Sequence, residues 1–163
     1  MLNILGNVHR IPHRYDKAKL AYEACLQVVR ETGEKRREVI ILENLALVAF
    51  AEGEWETTLY YARACVQRAQ EIGFVLFLFM PLHPLAGALS ATGQSLIAAR
   101  LVGIVDAFLD AQRISFPPND QHIHDQIDAQ VRGGLEAEAF QAAWEEGYHM
   151  TLEEAPEYVL SLQ

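Results

Sequence analysis

Several features are scarce in this chain, and each scarcity argues against a class of protein. Two cysteines in 163 residues are too few for the disulfide framework of a small secreted domain. Six prolines and ten glycines leave little of the chain for disordered segments. No apolar run approaches the roughly 18 to 20 residues of a membrane-spanning helix, and the N-terminus lacks the basic and then apolar pattern of a signal peptide. We therefore expect a soluble, cytoplasmic chain with no membrane contact.

Positive charge is also scarce, because 13 Lys and Arg residues stand against 22 Asp and Glu, for a formal net charge of -9. Such a surface repels phosphate over most of its area, which argues against direct nucleic-acid binding by this segment. The one basic cluster, Lys35-Arg36-Arg37, lies beside Glu34 and Glu38. We expect a solvated loop there rather than a phosphate site. The 51% hydrophobic content is enough to bury the core of one domain.

An internal repeat is the main feature that the chain does have. An offset of 40 aligns Leu5, Leu45 and Leu85, Tyr15 with Trp55, Cys25 with Cys65, Gly33 with Gly73, and Gly53 with Gly93. A fixed period of this size indicates a stack of helical hairpins. Apolar residues spaced three and four apart predict a helix on each side of a turn, and glycine is suited to the positions just past helix ends.

The residues around the turns resemble a tetratricopeptide repeat. That motif has a Leu-Gly pair in the first helix, an aromatic residue at the turn, and two small residues in the second helix. These places are filled by Leu5-Gly6, Tyr15, Ala18 and Cys25, then by Leu45-Ala46, Trp55, Thr58 and Cys65, and then by Leu85-Ala86, Ser95 and Ala98. The resemblance implies an all-α superhelix of about three 40-residue helix pairs (1–33, 34–73 and 74–116), followed by a helical cap (117–163) of the same domain.

The third copy contains the most apolar stretch of the chain, FVLFLFMPLHPLAGALSAT. Pro81 and Pro84 predict a break in the helix there. The phenylalanines are interpreted as core, with an apolar ligand pocket or a dimer face as alternatives. A long amphipathic helix is predicted from Ser95 to about Ile114, and three further helices at about 119–132, 135–146 and 151–162. Thr151 and Glu154 have the spacing of a capping box.

The second half of the chain contains a further set of motif residues, namely Ala98-Ala99-Arg100-Leu101, Gly103, Pro117-Pro118, Phe140, Trp144, Gly147 and Met150 to Ala155. With these residues it resembles the C-terminal end of bacterial LuxR-type and related NTPase-containing transcription regulators. The resemblance implies an interaction or sensor arm of a larger regulator. Its partner is expected to be a protein, a peptide or another domain of the parent chain.

Motifs for catalysis and for metal binding are weak or absent. His122 and His124, two apart at a helix start, point about 200° apart, unlike the one-face pair of a helical zinc site. His9 and His13 are interpreted as surface residues, and the cysteines as free core thiols. The chain has neither a Gly-rich phosphate loop nor a Gly-x-Ser-x-Gly motif. We therefore expect no catalytic residue, no metal site and no cofactor.

A partner-binding groove is expected along the first helices of the repeats. The predicted groove residues are Asn3, Asn7, Arg10, Glu43, Leu47, Phe50, Met80, His83 and Ser90. Asn and Arg side chains suit a peptide backbone, and the apolar members suit an apolar side chain. The alternative is that these positions are solvated or covered by neighbouring helices. The function is then that of a protein-interaction and regulatory module, or alternatively of a small-molecule sensor that binds an inducer in an apolar pocket.

Self-association is a further expectation. The first helix of the first copy is about two turns shorter than that of the second, so its apolar face needs preceding repeats or a second chain to cover it. That face consists of Leu2, Ile4, Leu5 and Val8. Because large exposed apolar patches usually find partners, we expect a homodimer.

Overall fold

The chain folds into helices, and the predicted all-α class is confirmed. A computed structural model describes Gly6, residues 14–151 and residues 154–162, and no β-strand occurs in these ranges. The helices are α1 (Tyr15–Thr32), α2 (Lys35–Ala51), α3 (Trp55–Glu71), α4 (Leu76–Phe79), α5 (Leu82–Ala91), α6 (Ser95–Gln112), α7 (Gln121–Gly133), α8 (Ala137–Tyr148) and α9 (Glu154–Ser161), with a 3-10 turn at Pro118–Asp120 before α7.

Glycines at a spacing of 20 residues follow the ends of successive long helices. Gly33, Gly53, Gly73 and Gly93 have φ angles of 73°, 74°, 65° and 89°. Side chains with a Cβ avoid this left-handed region, whereas glycine enters it at little cost and closes the last helical turn. The predicted helix ends at these four positions are confirmed.

The proline-containing stretch is broken where the sequence predicts. Helix α4 ends at Phe79 and α5 begins at Leu82, so the break falls at Met80 and Pro81. Pro84 lies within the first turn of α5, where the backbone amide has no partner inside the helix and its loss is tolerated. The break turns the chain from α4 into α5, the helix that carries His83.

Contacts at both ends show that α2 and α3 run antiparallel. Next to their connecting turn, the Phe50 and Trp55 rings lie 5.5 Å apart. At the far end, the Cys65 thiol donates to the Val39 carbonyl at 3.3 Å. Helix α3 also packs on α5, α5 on α6, and α6 on α8, so successive helices form a continuous array.

Among the residues that the structure describes, the core consists of two apolar clusters. One is built from α1, α2 and α3, and the other extends from α2 to α9. The second cluster includes Phe79 of the apolar stretch, whose ring stacks on Phe108 at 4.3 Å. It also includes Ile123, Ile127, Val131, Phe140 and Val159 from the region predicted to be the cap. That region therefore shares a core with the preceding helices.

Two glycines let α6 and α8 cross in close contact. A Cβ on Gly103 would overlap the carbonyl oxygen of Trp144, and a Cβ on Gly147 would overlap the carbonyl oxygen of Arg100. The backbones themselves touch, so neither neighbour is a flexible side chain that can move aside. This contact explains glycine at both positions in terms of packing.

The predicted capping box is present at the start of α9. Glu154 Oε2 accepts hydrogen bonds from the backbone amide and the hydroxyl of Thr151, at 2.9 and 2.8 Å, and the Glu154 amide donates to Thr151 Oγ1 at 3.2 Å. These hydrogen bonds lower the pKa of the Glu154 carboxyl. The reciprocal pattern satisfies amides that the first helical turn leaves without partners.

The two cysteines are free thiols in the core, and we expect both to resist labelling in the native chain. Burial raises the pKa of the Cys65 thiol well above its usual range, and the nearby Glu43 charge adds to this. Because only the thiolate reacts, labelling has to wait for local opening, and each 1.4 kcal/mol of opening free energy slows it about tenfold. Reaction with a disulfide reagent at pH 8, with and without denaturant, measures this. Native Cys65 reacting at the denatured rate would contradict its placement.

Candidate functional site

The predicted groove residues that the structure describes are divided between the core and the surface. Glu43, Met80 and Ser90 are partly exposed. Leu47, Phe50 and His83 are buried, with 1%, 4% and 1% of their surface accessible. Asn3, Asn7 and Arg10 lie outside the described residues.

These three side chains do not line an open groove in this structure, and their part in partner binding stays a prediction. Phe50 lies against Gly87 of α5, so close that a Cβ on that glycine would overlap the ring. His83 is covered by α7. The sequence register compares positions along the chain, whereas these contacts join α2 to α5 and α5 to α7.

Helix α7 lies on the α5 face, which we define by His83, Gly87 and Ser90. The side-chain amide of Gln130 donates to the Gly87 carbonyl at 2.8 Å, and the Ser90 hydroxyl donates to the Gln130 carbonyl at 3.3 Å. These two hydrogen bonds join α7 to α5 at Gly87 and Ser90. The face expected to hold a partner therefore holds a helix of the same chain.

The sequence of α7 explains why it docks. Ile123, Ile127 and Val131 recur every four residues and are fully buried, so one stripe of the helix faces inward. His124 follows Ile123 and is 1% exposed, which places an imidazole at the edge of the apolar stripe. A buried polar ring needs a hydrogen-bond partner, and α5 supplies one.

A buried histidine pair joins the two helices. His83 Nδ1 and His124 Nδ1 are 2.7 Å apart, and His83 Nε2 lies 2.9 Å from Asp128 Oδ1. The Phe116 ring stacks on His124 at 3.5 Å with the planes 9° apart. The pair is therefore closed by a carboxylate on one side and by an aromatic ring on the other.

His122 has a different neighbour from His124, as their splayed spacing predicts. Its Nε2 lies 2.9 Å from the Tyr15 hydroxyl at the start of α1. Helix α7 therefore contacts α1 through one imidazole and α5 through the other. Within residues 14–151 and 154–162, no three His, Cys, Asp or Glu side chains are grouped so as to hold a metal ion.

The histidine pair is the feature that the sequence analysis missed. His83 lies within the most apolar stretch, between Leu82 and Leu85, and His124 lies within the apolar stripe of α7. Each signal is visible in the sequence, because a polar ring on a buried face calls for a partner. What the sequence does not show is that each is the partner of the other.

An acidic cleft of about 410 Å³ opens beside the pair, between α6, α7 and α8. Trp144 Nε1 donates to Asp106 Oδ2 and the Tyr148 hydroxyl donates to Asp110 Oδ2, both at 2.8 Å. Burial raises the pKa of the Asp106 carboxyl, and the hydrogen bond from Trp144 opposes that shift. With Asp128 also in its lining, the cleft is negative and favours cations over anions.

A second polar cluster lies where α1 is followed by α2. The basic residues Lys35, Arg36 and Arg37 form the first turn of α2, so the expectation of a loop there is wrong. The buried carboxylate of Glu38 accepts a hydrogen bond from Arg30 Nε at 2.9 Å and forms an ion pair with Arg68, whose Nε lies 3.0 Å from it. Its neighbour Arg37 pairs with Glu34 at 2.8 Å on the surface. Because Arg30 of α1 and Arg68 of α3 both pair with this carboxylate of α2, the cluster holds the three helices together.

Comparison with known proteins gives no relative for the chain. No family model, curated protein or solved structure matches it. None of the helices in the described ranges is both long and apolar enough to cross a lipid bilayer. The α5 face, helix α7 and the cleft beside them are the features of the described residues that bear on function.

Proposed function

We propose that the chain is a non-catalytic helical-repeat module that recognises a helical segment of a protein partner or of its own parent chain. The supporting observation is that the α5 face already binds a helix, through hydrogen bonds from Gln130 and Ser90 and through the histidine pair. When α7 leaves the α5 face, a partner helix that carries the same side chains in the same arrangement as α7 can bind there. Helix recognition of this kind is a common mode of peptide binding.

The proposed architecture is a superhelix of about three tetratricopeptide-like repeats with a C-terminal cap. The four positive-φ glycines at a 20-residue spacing support it, as does the antiparallel pairing of α2 and α3. Contacts of α1 with α3 add to this support, since Lys19 pairs with Glu54 and the Tyr61 hydroxyl donates to Glu23. Second helices of adjacent repeats lie side by side in such arrays.

The parent protein is proposed to be a cytoplasmic bacterial transcription regulator of the LuxR-type or a related NTPase-containing class. The support is the sequence resemblance of the second half, which includes Gly103 and Gly147 at the α6 and α8 crossing. In such a protein the module holds a partner or restrains the domains that precede it. Homodimer formation stays a prediction, because Leu2, Ile4, Leu5 and Val8 lie outside the described residues.

A small-molecule sensor is the second candidate, and the acidic cleft favours a cationic ligand for it. The sequence alone suggests a different ligand site, an apolar pocket in the Phe-rich stretch. That site has less support, because Phe79 is buried in the core and stacks on Phe108. The cleft is lined instead by Asp106, Asp110 and Asp128 together with aromatic rings. A sensor built there selects amines rather than apolar inducers.

A peptide added in trans tests the proposed helix recognition. Ile127→Asp places a charge in a fully buried position, so we expect it to undock α7 and leave the α5 face open. A labelled peptide of residues 118–134 should then bind this variant and not the wild type, as measured by fluorescence anisotropy. The matched control is the same peptide with its own Ile127→Asp change, which should not bind.

The negative outcome is equally specific. If circular dichroism shows that the Ile127→Asp chain keeps its helices and it still takes up no peptide, the α5 face is a packing surface and does not recognise helices. Adding His83→Ala to that variant should weaken peptide binding by roughly 1 to 3 kcal/mol if the imidazole is part of the recognition.

A further inference from the structure

We propose that the outer face of α1 is a dimerisation surface, on which two copies of the chain pair with their α1 helices antiparallel. We call this surface the outer stripe and define it by Lys17, Leu20, Ala24, Val28 and Glu31. The pairing rests on the homodimer of the proposed function, for which it supplies a surface within the described residues. It is independent of helix recognition by the α5 face.

Apolar side chains are exposed along one side of α1. Leu20 is 67% exposed and Val28 is 46% exposed, and no other large apolar side chain in the described ranges is more exposed than Leu20. Ala24 lies between them and is exposed as well. Because the three positions are four residues apart, they share one face of the helix. The core side of α1, which includes Tyr22, points the other way.

The contacts of α1 within the chain lie outside the outer stripe. On the side next to α3, Lys19 pairs with Glu54. The inner side packs on α2, and Gly6 comes so close to the Tyr22 ring that a Cβ on this glycine would overlap it. Lys19 and Tyr22 lie about 140° and 160° around the helix from Ala24, the centre of the stripe. A second chain can therefore reach the stripe without displacing these contacts.

The outer stripe carries opposite charges at its two ends, and these select the orientation of the pair. Lys17 lies seven residues before Ala24, and Glu31 lies seven residues after it. Antiparallel pairing centred on Ala24 brings Lys17 of each copy level with Glu31 of the other. It also brings Leu20 level with Val28. Parallel pairing would instead set Lys17 against Lys17 and Glu31 against Glu31, and like charges repel. The stripe therefore complements itself in the antiparallel arrangement, as a twofold interface requires.

The geometry of the helix supports such a contact. Helix α1 has 18 residues, which gives it a length of about 27 Å. Ala24, at the centre, has a side chain small enough for two helix axes to approach to roughly 8 to 10 Å. Gln27 Nε2 donates to Glu31 Oε1 at 3.1 Å and keeps that carboxylate along the helix. Because one helix pair is a small interface, we expect a dissociation constant on the order of tens of micromolar.

Sedimentation equilibrium of the full chain from about 5 to 500 µM measures the dimer. We expect Leu20→Asp to raise the dissociation constant at least about tenfold, because each dimer then buries two carboxylates among apolar side chains. The side chain is exposed in the single chain, so circular dichroism should show an unchanged helix content. Leu96→Asp is the matched control, since Leu96 is 49% exposed on α6 and its change should leave the dissociation constant unaltered.

Charge exchange tests the antiparallel orientation. Lys17→Glu and Glu31→Lys each place like charges opposite one another at both ends of the pair, so each should raise the dissociation constant roughly fivefold. A chain that carries both changes has opposite charges facing again and should return to within about twofold of wild type. Parallel pairing predicts no such rescue. An effect of net charge alone would move the two single variants in opposite directions.

The contradicting outcomes are distinct from one another. If the wild type remains a monomer over this concentration range, the α1 surface and the proposed homodimer are both wrong. If a dimer forms and Leu20→Asp leaves it unchanged, the homodimer stands and the α1 surface is refuted. If the two single charge variants do not weaken the dimer, the antiparallel orientation is refuted. Should Leu20→Asp not fold, Val28→Asp is judged by the same criterion. Binding of the 118–134 peptide does not enter these results, so helix recognition by the α5 face is decided separately.

Discussion

Gly147→Ala is expected to prevent α8 from packing on α6 and to destabilise the chain by roughly 3 to 5 kcal/mol or to abolish folding. The added methyl group would overlap the carbonyl oxygen of Arg100, a backbone atom inside α6. The overlap is removed only if α6 and α8 move apart. That separation exposes Phe140 and Ala143, which are buried in the same apolar cluster. Few single methyl groups have so large an effect.

Gly133→Ala is the matched control for that substitution. Nothing lies within 4 Å of a Cβ on Gly133, and the residue ends α7 without a positive φ. The change should stay within about 0.5 kcal/mol of wild type, or be slightly stabilising. Urea melts followed by circular dichroism compare the two variants. If both shift the midpoint equally, the close crossing of α6 and α8 is wrong.

Phe50→Ala is expected to cost roughly 3 to 5 kcal/mol of unfolding free energy. The ring is 4% exposed, lies against Gly87 of α5 and has its centroid 5.5 Å from that of Trp55. This is the behaviour of a core residue. An alanine substitution at an open groove position would instead weaken partner binding and leave the free energy of unfolding almost unchanged.

A double substitution shows whether the contact with Gly87 is direct. Gly87→Ala alone should destabilise the chain, because the methyl group pushes the Phe50 ring out of its place. In that background Phe50→Leu should cost less than it does in wild type, since the smaller side chain makes room, and the coupling should exceed about 0.5 kcal/mol.

The exposed aromatic residue Tyr60 supplies the control for this pair. It is 59% exposed, and Tyr60→Ala should change stability by no more than about 0.5 kcal/mol. Denaturant melts of the variants measure all of these differences. Strictly additive effects of Gly87→Ala and Phe50→Leu would show that α2 and α5 do not meet at these residues.

The helix boundaries could be predicted from the sequence because they follow from local chemistry. Gly33, Gly53, Gly73 and Gly93 act on their own backbone, and Pro81 acts on the turn before it. The capping box of Thr151 and Glu154 likewise needs only four residues. Such signals do not depend on what the rest of the chain does, so the repeat register located them correctly.

The candidate site could not be predicted in the same way, because it depends on where α7 lies. Counting along the register places His83 and Phe50 on a free face, and only contacts with distant residues remove them from it. His124 lies 41 positions after His83 and outside the repeated part of the sequence. Its burial results from tertiary packing, which the helical periodicity of the sequence does not predict.

The contact between the Tyr15 hydroxyl and His122 has a consequence for how the chain unfolds. In a helical-repeat array each repeat usually contacts only its neighbours. The stability of the array is then a sum of repeat and nearest-neighbour contributions, and its two ends unfold independently of each other. Here residues 107 positions apart meet, and the same α7 is held by α5. The hydrogen bond therefore links α1 to α7, in addition to the contacts between neighbouring helices. We expect α1 to unfold less independently of the later helices than the end helix of an open array does.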